Sequence, residues 1–256
     1  MEYVSIEDAK DSDGLRVALT MGVPGPWSQA AKYLFEFKGI PFIAVGQKGG
    51  RDNPELFEWT GHRNAPVAVF NDEPPRTGWH EIIMLAERIA PQPALVPATS
   101  SARAEMFGLI TEIASEGGLA WLRRLRLIEI LYGAASSGDP RARKGPDTLA
   151  TRYGYSPDAA VEAEDGCKNI LVMLSEYLKM QSDRGSEYFV GDSFTAADLY
   201  WACFSQLVAP MPEDINPMPP LLRSAYEPPN SLSVDPILIA HRDLIYGRHL
   251  SLPLEF

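Results

Sequence analysis

Between Leu15 and Pro41 the chain alternates, turns and then repeats at helical spacing, and that order leaves few ways to fold. Leu15, Val17 and Leu19 alternate with Arg16, Ala18 and Thr20, as the two faces of a half-buried strand do. Met21-Gly-Val-Pro-Gly-Pro-Trp-Ser28 is too rich in glycine and proline to continue the strand and reads as a loop. Ala30, Ala31, Leu34, Phe35 and Phe37 then fall on one side of a helix expected from Gln29 to Lys38. Gly39 and Pro41 stop it. The first N–H groups of such a helix lack partners within it, and with the helix dipole they favour an anion at the loop. The stretch is therefore either an anion-holding corner or a plain β-α turn without a ligand.

With 256 residues, 45% of them hydrophobic, the chain can bury a sizeable core and has room for two domains. No apolar run approaches the roughly 20 residues of a membrane helix. A formal net charge of -11 argues against nucleic acid and anionic membranes, which select clustered Lys and Arg. The acidic start Met-Glu-Tyr-Val-Ser-Ile-Glu-Asp is unlike a signal peptide, so a cytoplasmic location is expected. Cys167 and Cys203 both fall in helical patterns and read as buried thiols; no metal site is expected.

Residues 1–13 read as a loose leader. After the first strand, loop and helix, Phe42–Val45 reads as a parallel strand completing a βαβ unit. Asn53-Pro54 opens a short helix as N-cap and first residue. A strand opens with Pro66 and runs to Phe70, a weak strand lies around Arg76, and a helix spans about His80 to Ile89. The Pro-rich stretch 91–101 is the domain boundary. Beyond it the patterns are helical: Ala102 to about Tyr132 with a kink at Gly117-Gly118, a loop from Gly133 to about Tyr155, a helix from Ser156-Pro157 to about Met180, and a capping-box start at Thr195-Ala-Ala-Asp198 with Phe194 and Leu199 as its staple. An irregular segment covers Pro210 to about Pro229, and a last helix runs from Asp235-Pro236 to Leu250.

A βαβ-αββα unit whose third strand opens with proline, a linker, and a helical region containing Gly191-Asp-Ser-Phe-Thr-Ala-Ala-Asp198 together resemble the cytosolic glutathione transferases over about residues 14 to 208. The resemblance implies an α+β fold. A thioredoxin-like domain at 14–90, with a mixed four-stranded sheet and helices, is joined by the linker 91–101 to an all-α domain at 102–256. It further implies glutathione as co-substrate, a homodimer, and Pro66 as a cis-proline, against the alternative of an ordinary trans proline on an edge strand.

By the same resemblance the Ala65 main chain would pair with the cysteinyl backbone of glutathione, Asn64 would touch its glycyl end or simply form a turn, and Glu81-Ile82 would match the acid-Ser pair that holds the γ-glutamyl end. Glu81 supplies the acid or is a surface carboxylate in a first helical turn. Ile82 lacks the hydroxyl, and because the segment between Pro66 and Glu81 is about four residues longer than usual, Thr77, Trp79 and His80 are the alternatives. The thiol-activating Ser or Cys of the family falls on Gly25, which carries no such group. Ser28, the remaining hydroxyl of the loop, either stabilises a thiolate or caps the helix; Trp27 either packs or walls the thiol site. Trp121 and Arg124 either line the second-substrate pocket or serve core packing and a surface ion pair.

Without a loop cysteine, a glutathione-dependent thiol oxidoreductase is ruled out. Two functions survive: a transferase in which the glutathione thiolate attacks a small apolar electrophile, and a transferase-like binding or assembly protein that has lost catalysis. The segment after residue 208 is placed to cap the cleft.

Overall fold

The computed structural model describes residues 1–135 and 140–256. Its first layer is a small mixed sheet of order β2-β1-β3, built from β1 (Leu15–Thr20), β2 (Phe42–Gln47) and β3 (Val67–Phe70). β1 runs parallel to β2, pairing Leu15 with Phe42, and antiparallel to β3, pairing Leu15 with Phe70. The fourth strand expected around Arg76 is a single bridge to Ala68, with N–H···O distances of 2.9 and 2.8 Å. Pro74 and Pro75 just before it have no N–H to donate, which prevents a longer ladder.

Residues 1–13 are no loose leader. Val4 N–H donates to Ala44 O at 3.0 Å, and helix α1 (Ile6–Lys10) follows, its N-cap Ser5 accepting from the Asp8 N–H. Ile6 and Ala9 pack on Val45, Leu56 and Val69 on the far side of the sheet. Helix α2 (Pro26–Phe37) starts at Pro26, before the expected Gln29, because proline at the first helical position loses no needed donor. Helix α3 (Pro54–Thr60) follows Asn53, whose left-handed backbone (φ 40°) does not cap it; the Asn53 amide instead bonds Lys48 and Arg51 main chain. Helix α4 (Trp79–Ile89) closes the layer.

The single long helix expected from Ala102 is two, α5 (Ser100–Ala114) and α6 (Leu119–Ala134), separated by a break and not merely kinked. Gly117 takes a positive φ of 77°, and a Cβ on Gly118 would lie 2.7 Å from Glu112 O and 2.8 Å from Thr111 O. Only glycine lets α6 begin so close behind α5.

Where a loop was expected to Tyr155, helix α7 (Pro140–Tyr153) forms; the part of that loop at residues 136–139 lies outside the described residues. Pro146 within α7 is what hid the helix in the sequence. Helix α8 (Pro157–Asp183) is capped by Ser156. Helix α9 (Ala196–Phe204) has the Thr195/Asp198 capping box, with Asp198 Oδ2 accepting from Thr195 N–H and Oγ1–H at 2.8 Å each. The segment expected to be irregular contains helix α10 (Pro220–Tyr226), and helix α11 (Pro236–His249) follows its Asp235 cap.

Helix α9 is buried on every side against α2, α5 and α11, with Tyr200, Trp201 and Phe204 at its centre. One apolar cluster runs without interruption from Leu15 and Leu34 through Ile110 and Trp201 to Leu238. Among the described residues no helix is long and apolar enough to cross a membrane.

Candidate functional site

The end of β1 and the start of α2 face the α5–α6 break across a cleft of about 660 Å³. That is ample for a small ligand. Gly25 caps α2 with no side chain. A Cβ built there would lie 3.6 Å from Thr20 Cβ and 3.7 Å from Thr20 Oγ1, an ordinary contact, so the position left without a hydroxyl in the loop stands beside one on the strand.

Ser28 Oγ–H donates to Thr20 Oγ1 at 3.2 Å, and Thr20 Oγ1–H donates to Gln47 Oε1 at 3.1 Å. The Gln47 amide passes on to the Lys48 and Arg63 carbonyls. Ser28 Oγ also accepts from the Thr20 N–H at 3.0 Å and is 3% exposed. Ser28 is thus inside the first turn of α2 and not on the loop. It clamps strand to helix, and Thr20 stands between it and Gln47.

Trp27 edges onto Phe204 at 5.1 Å, and its Nε1–H donates to Ala114 O at 3.0 Å. Trp79 Nε1–H donates to Ser115 Oγ at 3.0 Å. These two tryptophans of the sheet layer are pinned to the α5–α6 break, and both line the cleft.

The Ala65–Pro66 bond is cis, as are Gln92–Pro93 and Leu252–Pro253. Ala65, Pro66 and Asn64 line the cleft. Among the described residues nothing bonds the Ala65 N–H or C=O. An open N–H and C=O ahead of a strand are what an extended peptide pairs with.

Three expected ligand contacts do not reach the cleft, whose lining omits His80, Glu81 and Ile82. Glu81 Oε2 accepts from Thr77 N–H at 3.1 Å and Gly78 N–H at 3.0 Å, so it caps its own helix, and those bonds hold its carboxyl below the ordinary range. Ile82 is in the core and fully buried. His80 packs on Phe107 at 4.7 Å. Of the residues at the start of α4, Trp79 lines the cleft, as does Thr77 just before it, both named among the alternatives.

On the helical side the cleft takes in Trp121 and Arg124. Trp121 lies 4.6 Å from Tyr153, ring centre to ring centre. The Arg124 guanidinium sits 5.5 Å from the Trp27 ring and 5.8 Å from that of Tyr153. Burial works against its charge, Tyr153 and Tyr226 favour it, and the balance keeps its pKa above the ordinary value. Helices α7 and α10 add Leu149, Arg152, Tyr153, Leu222 and Tyr226, which sequence reasoning missed because the first helix was hidden by Pro146 and the second by the prolines around it. The segment after residue 208 therefore does cover part of the cleft.

Cys167 and Cys203 lie away from it, and burial pushes their thiols up to about 11 and about 12. Neither is a ready nucleophile at neutral pH. Among the described residues no group of three His, Cys, Asp or Glu could hold a metal ion.

A small mixed sheet carrying a cis-proline beside a cleft, packed through one core on an all-helical region, is the glutathione S-transferase fold: a thioredoxin-like N-terminal domain and a helical C-terminal domain. Residues 143–225 match the glutathione S-transferase C-terminal domain. It is similar in structure to a glutathione S-transferase of Methylobacterium radiotolerans JCM 2831, solved with glutathione sulfonate (14% identity, TM-score 0.58, 91% of either chain covered). It is similar to the beta-etherase LigF of Sphingobium sp. strain SYK-6 (17% identity, TM-score 0.65, 92% of this chain and 96% of that one). It is also similar to the nitrogen regulation fragment of the yeast prion protein Ure2p (11% identity, TM-score 0.62, 92% and 93% covered). No curated protein matches the sequence.

Proposed function

We propose that this chain is a glutathione transferase whose cleft binds the tripeptide along Ala65 and presents its sulfur to a small electrophile held against α6 and α7. The observation that carries this reading is the unpaired Ala65 main chain at the cis Pro66, opening into a cleft shared by both domains. The solved relatives with bound glutathione or glutathione sulfonate support it.

Asn64, Ala65 and Pro66 hold the peptide backbone in this reading. The co-substrate supplies the thiolate, and the protein lowers the cost of that charge. A free thiol has a pKa near 8.5, a helix N-terminus contributes about 0.3 to 1 kcal/mol, and one pKa unit is about 1.4 kcal/mol. With up to about 2 kcal/mol where the helix end is partly buried, the start of α2 alone therefore supplies about one unit. Thr20 provides the hydroxyl beside Gly25, with Ser28 positioning it and Gln47 competing for its proton. Two copies of the chain are proposed to associate, with a cytoplasmic location.

A second reading, a binding or assembly protein without catalysis, is favoured by one observation: the hydroxyl protons of Ser28 and Thr20 are both engaged within the protein. Calorimetric titration with reduced glutathione, up to several mM because a 1 mM Kd is only about -4 kcal/mol, tests the first. Saturable binding that Pro66→Gly weakens supports it. Absence of binding would favour the second.

A further inference from the structure

The floor of the cleft holds two arginines and little to neutralise them. Arg124 and Arg152 both line it, and among the described residues neither has a carboxylate within ion-pair distance. Nε of Arg124 is buried with no hydrogen-bond partner at all. Among the described residues nine other lysines and arginines pair with acids, and buried or part-buried arginines without such a pair, Arg16, Arg123 and Arg223, donate to main-chain carbonyls instead. A desolvated cation is costly unless an anion or further hydrogen bonds offset it. Among the described residues Arg124 meets only the Tyr153 and Tyr226 hydroxyls and Arg152 no acid, so two guanidinium groups in the cleft are left without a carboxylate and can take one that arrives from outside.

The surroundings of Arg124 say what shape that partner has. Its guanidinium lies between the faces of Trp27 and Tyr153, and Trp121 continues the aromatic wall. Aromatic walls favour a flat, apolar body. Guanidinium forks favour a carboxylate over a neutral group, through paired charge-assisted bonds. We infer that the electrophile-binding half of the cleft selects a planar aromatic acid, its ring against Trp27, Trp121 and Tyr153 and its carboxylate on Arg124 and Arg152. This rests on the reading of the cleft as a transferase site for its role in the reaction, though not for the anion binding itself. It narrows the small apolar electrophile expected from the sequence to one that carries an acid group.

The test is calorimetric titration of the full chain with 2-naphthoate and with its neutral isostere 2-naphthamide, in wild type, Arg124→Gln and Arg152→Gln. The wild type is expected to bind the acid about tenfold more tightly than the amide, the size of one good charge-assisted contact. Arg124→Gln should abolish that preference while leaving the amide affinity within about twofold. Among the described residues the Arg152 side chain makes no hydrogen bond or ion pair, so Arg152→Gln keeps the test open should Arg124→Gln fail to fold, and it should also reduce the preference. Equal affinity for acid and amide in wild type, or an undiminished preference in Arg152→Gln and in folded Arg124→Gln, overturns the proposal. So does loss of glutathione binding in Arg124→Gln with naphthoate binding unchanged, since Arg124 would then serve the tripeptide. A wild type that prefers naphthoate yet ignores glutathione would sink the transferase reading and leave the anion site standing.

Discussion

In the proposed transferase, Thr20 and Ser28 separate two roles that a loop hydroxyl would combine. Thr20→Val keeps the side-chain shape and removes the hydroxyl beside Gly25; turnover with glutathione should fall at least as far as about tenfold, a ΔΔG‡ near 1.4 kcal/mol, with little change in glutathione affinity. Ser28→Ala removes the buried acceptor of the Thr20 N–H and should cost about 1 to 3 kcal/mol of stability, with a smaller loss of turnover. Steady-state kinetics beside urea unfolding decides. A larger kinetic loss in Ser28→Ala would return the thiol donor to the helix. Thr20 was not legible because it ends an alternating strand, where an outward hydroxyl is ordinary; only the fold brings it to Gly25. Glu81 is ambiguous in the sequence for the converse reason, since an acid in a first helical turn looks the same whether it faces a ligand or, as its Oε2 does, its own N–H groups.

Elements were readable where one local signal dominates. The strand at Leu15–Thr20, the stop at Gly39 and the capping box at Thr195 each combine period and punctuation in a few residues. Helix α1 is too short to show a period, and α7 contradicts its own composition through Pro146.

What joins elements together is less visible still. Lys38 at the end of α2 is fully buried and bonds Glu87 of α4 at 2.6 Å and the Pro93 carbonyl at 2.7 Å, while Glu87 also takes the Leu95 N–H. Removing one partner of such a pair leaves a buried charge, so Glu87→Ala should destabilise by about 3 kcal/mol. Arg88→Ala, at an exposed pair with Glu73, should stay within about 1 kcal/mol. Urea midpoints of the two variants provide the comparison, and equal shifts would refute it.

At the scale of the whole molecule, His249 adds a contribution of definite sign to the pH response. Its ring stacks on Phe194 at 4.2 Å and its Nε2 meets the Tyr188 hydroxyl at 3.1 Å, joining α11 to the segment before α9. Burial holds its pKa below the ordinary histidine value; Asp198 opposes this and Arg248 adds to it. A histidine with a lowered folded pKa takes a proton more readily when unfolded, so its contribution is complete above about pH 6.5 and is lost as the pH falls below that. Thermal melts between about pH 7.5 and about pH 5 should show a loss that shrinks in His249→Phe, which keeps the stack; an identical loss in the variant would exclude this histidine.

The end of the chain returns to the helix that carries the site. Gln29 and Lys32 both donate to Glu255 O, and the Tyr33 hydroxyl donates to Ser251 O, partners separated by 226, 223 and 218 positions. The N-terminal layer is consequently not a cassette. Grafted onto the helical half of a distant relative, α2 would keep its sequence and lose its backing, leaving the Lys32 ammonium buried without its acceptor. A substitution at the cleft leaves that backing in place, whereas an exchange of halves removes it.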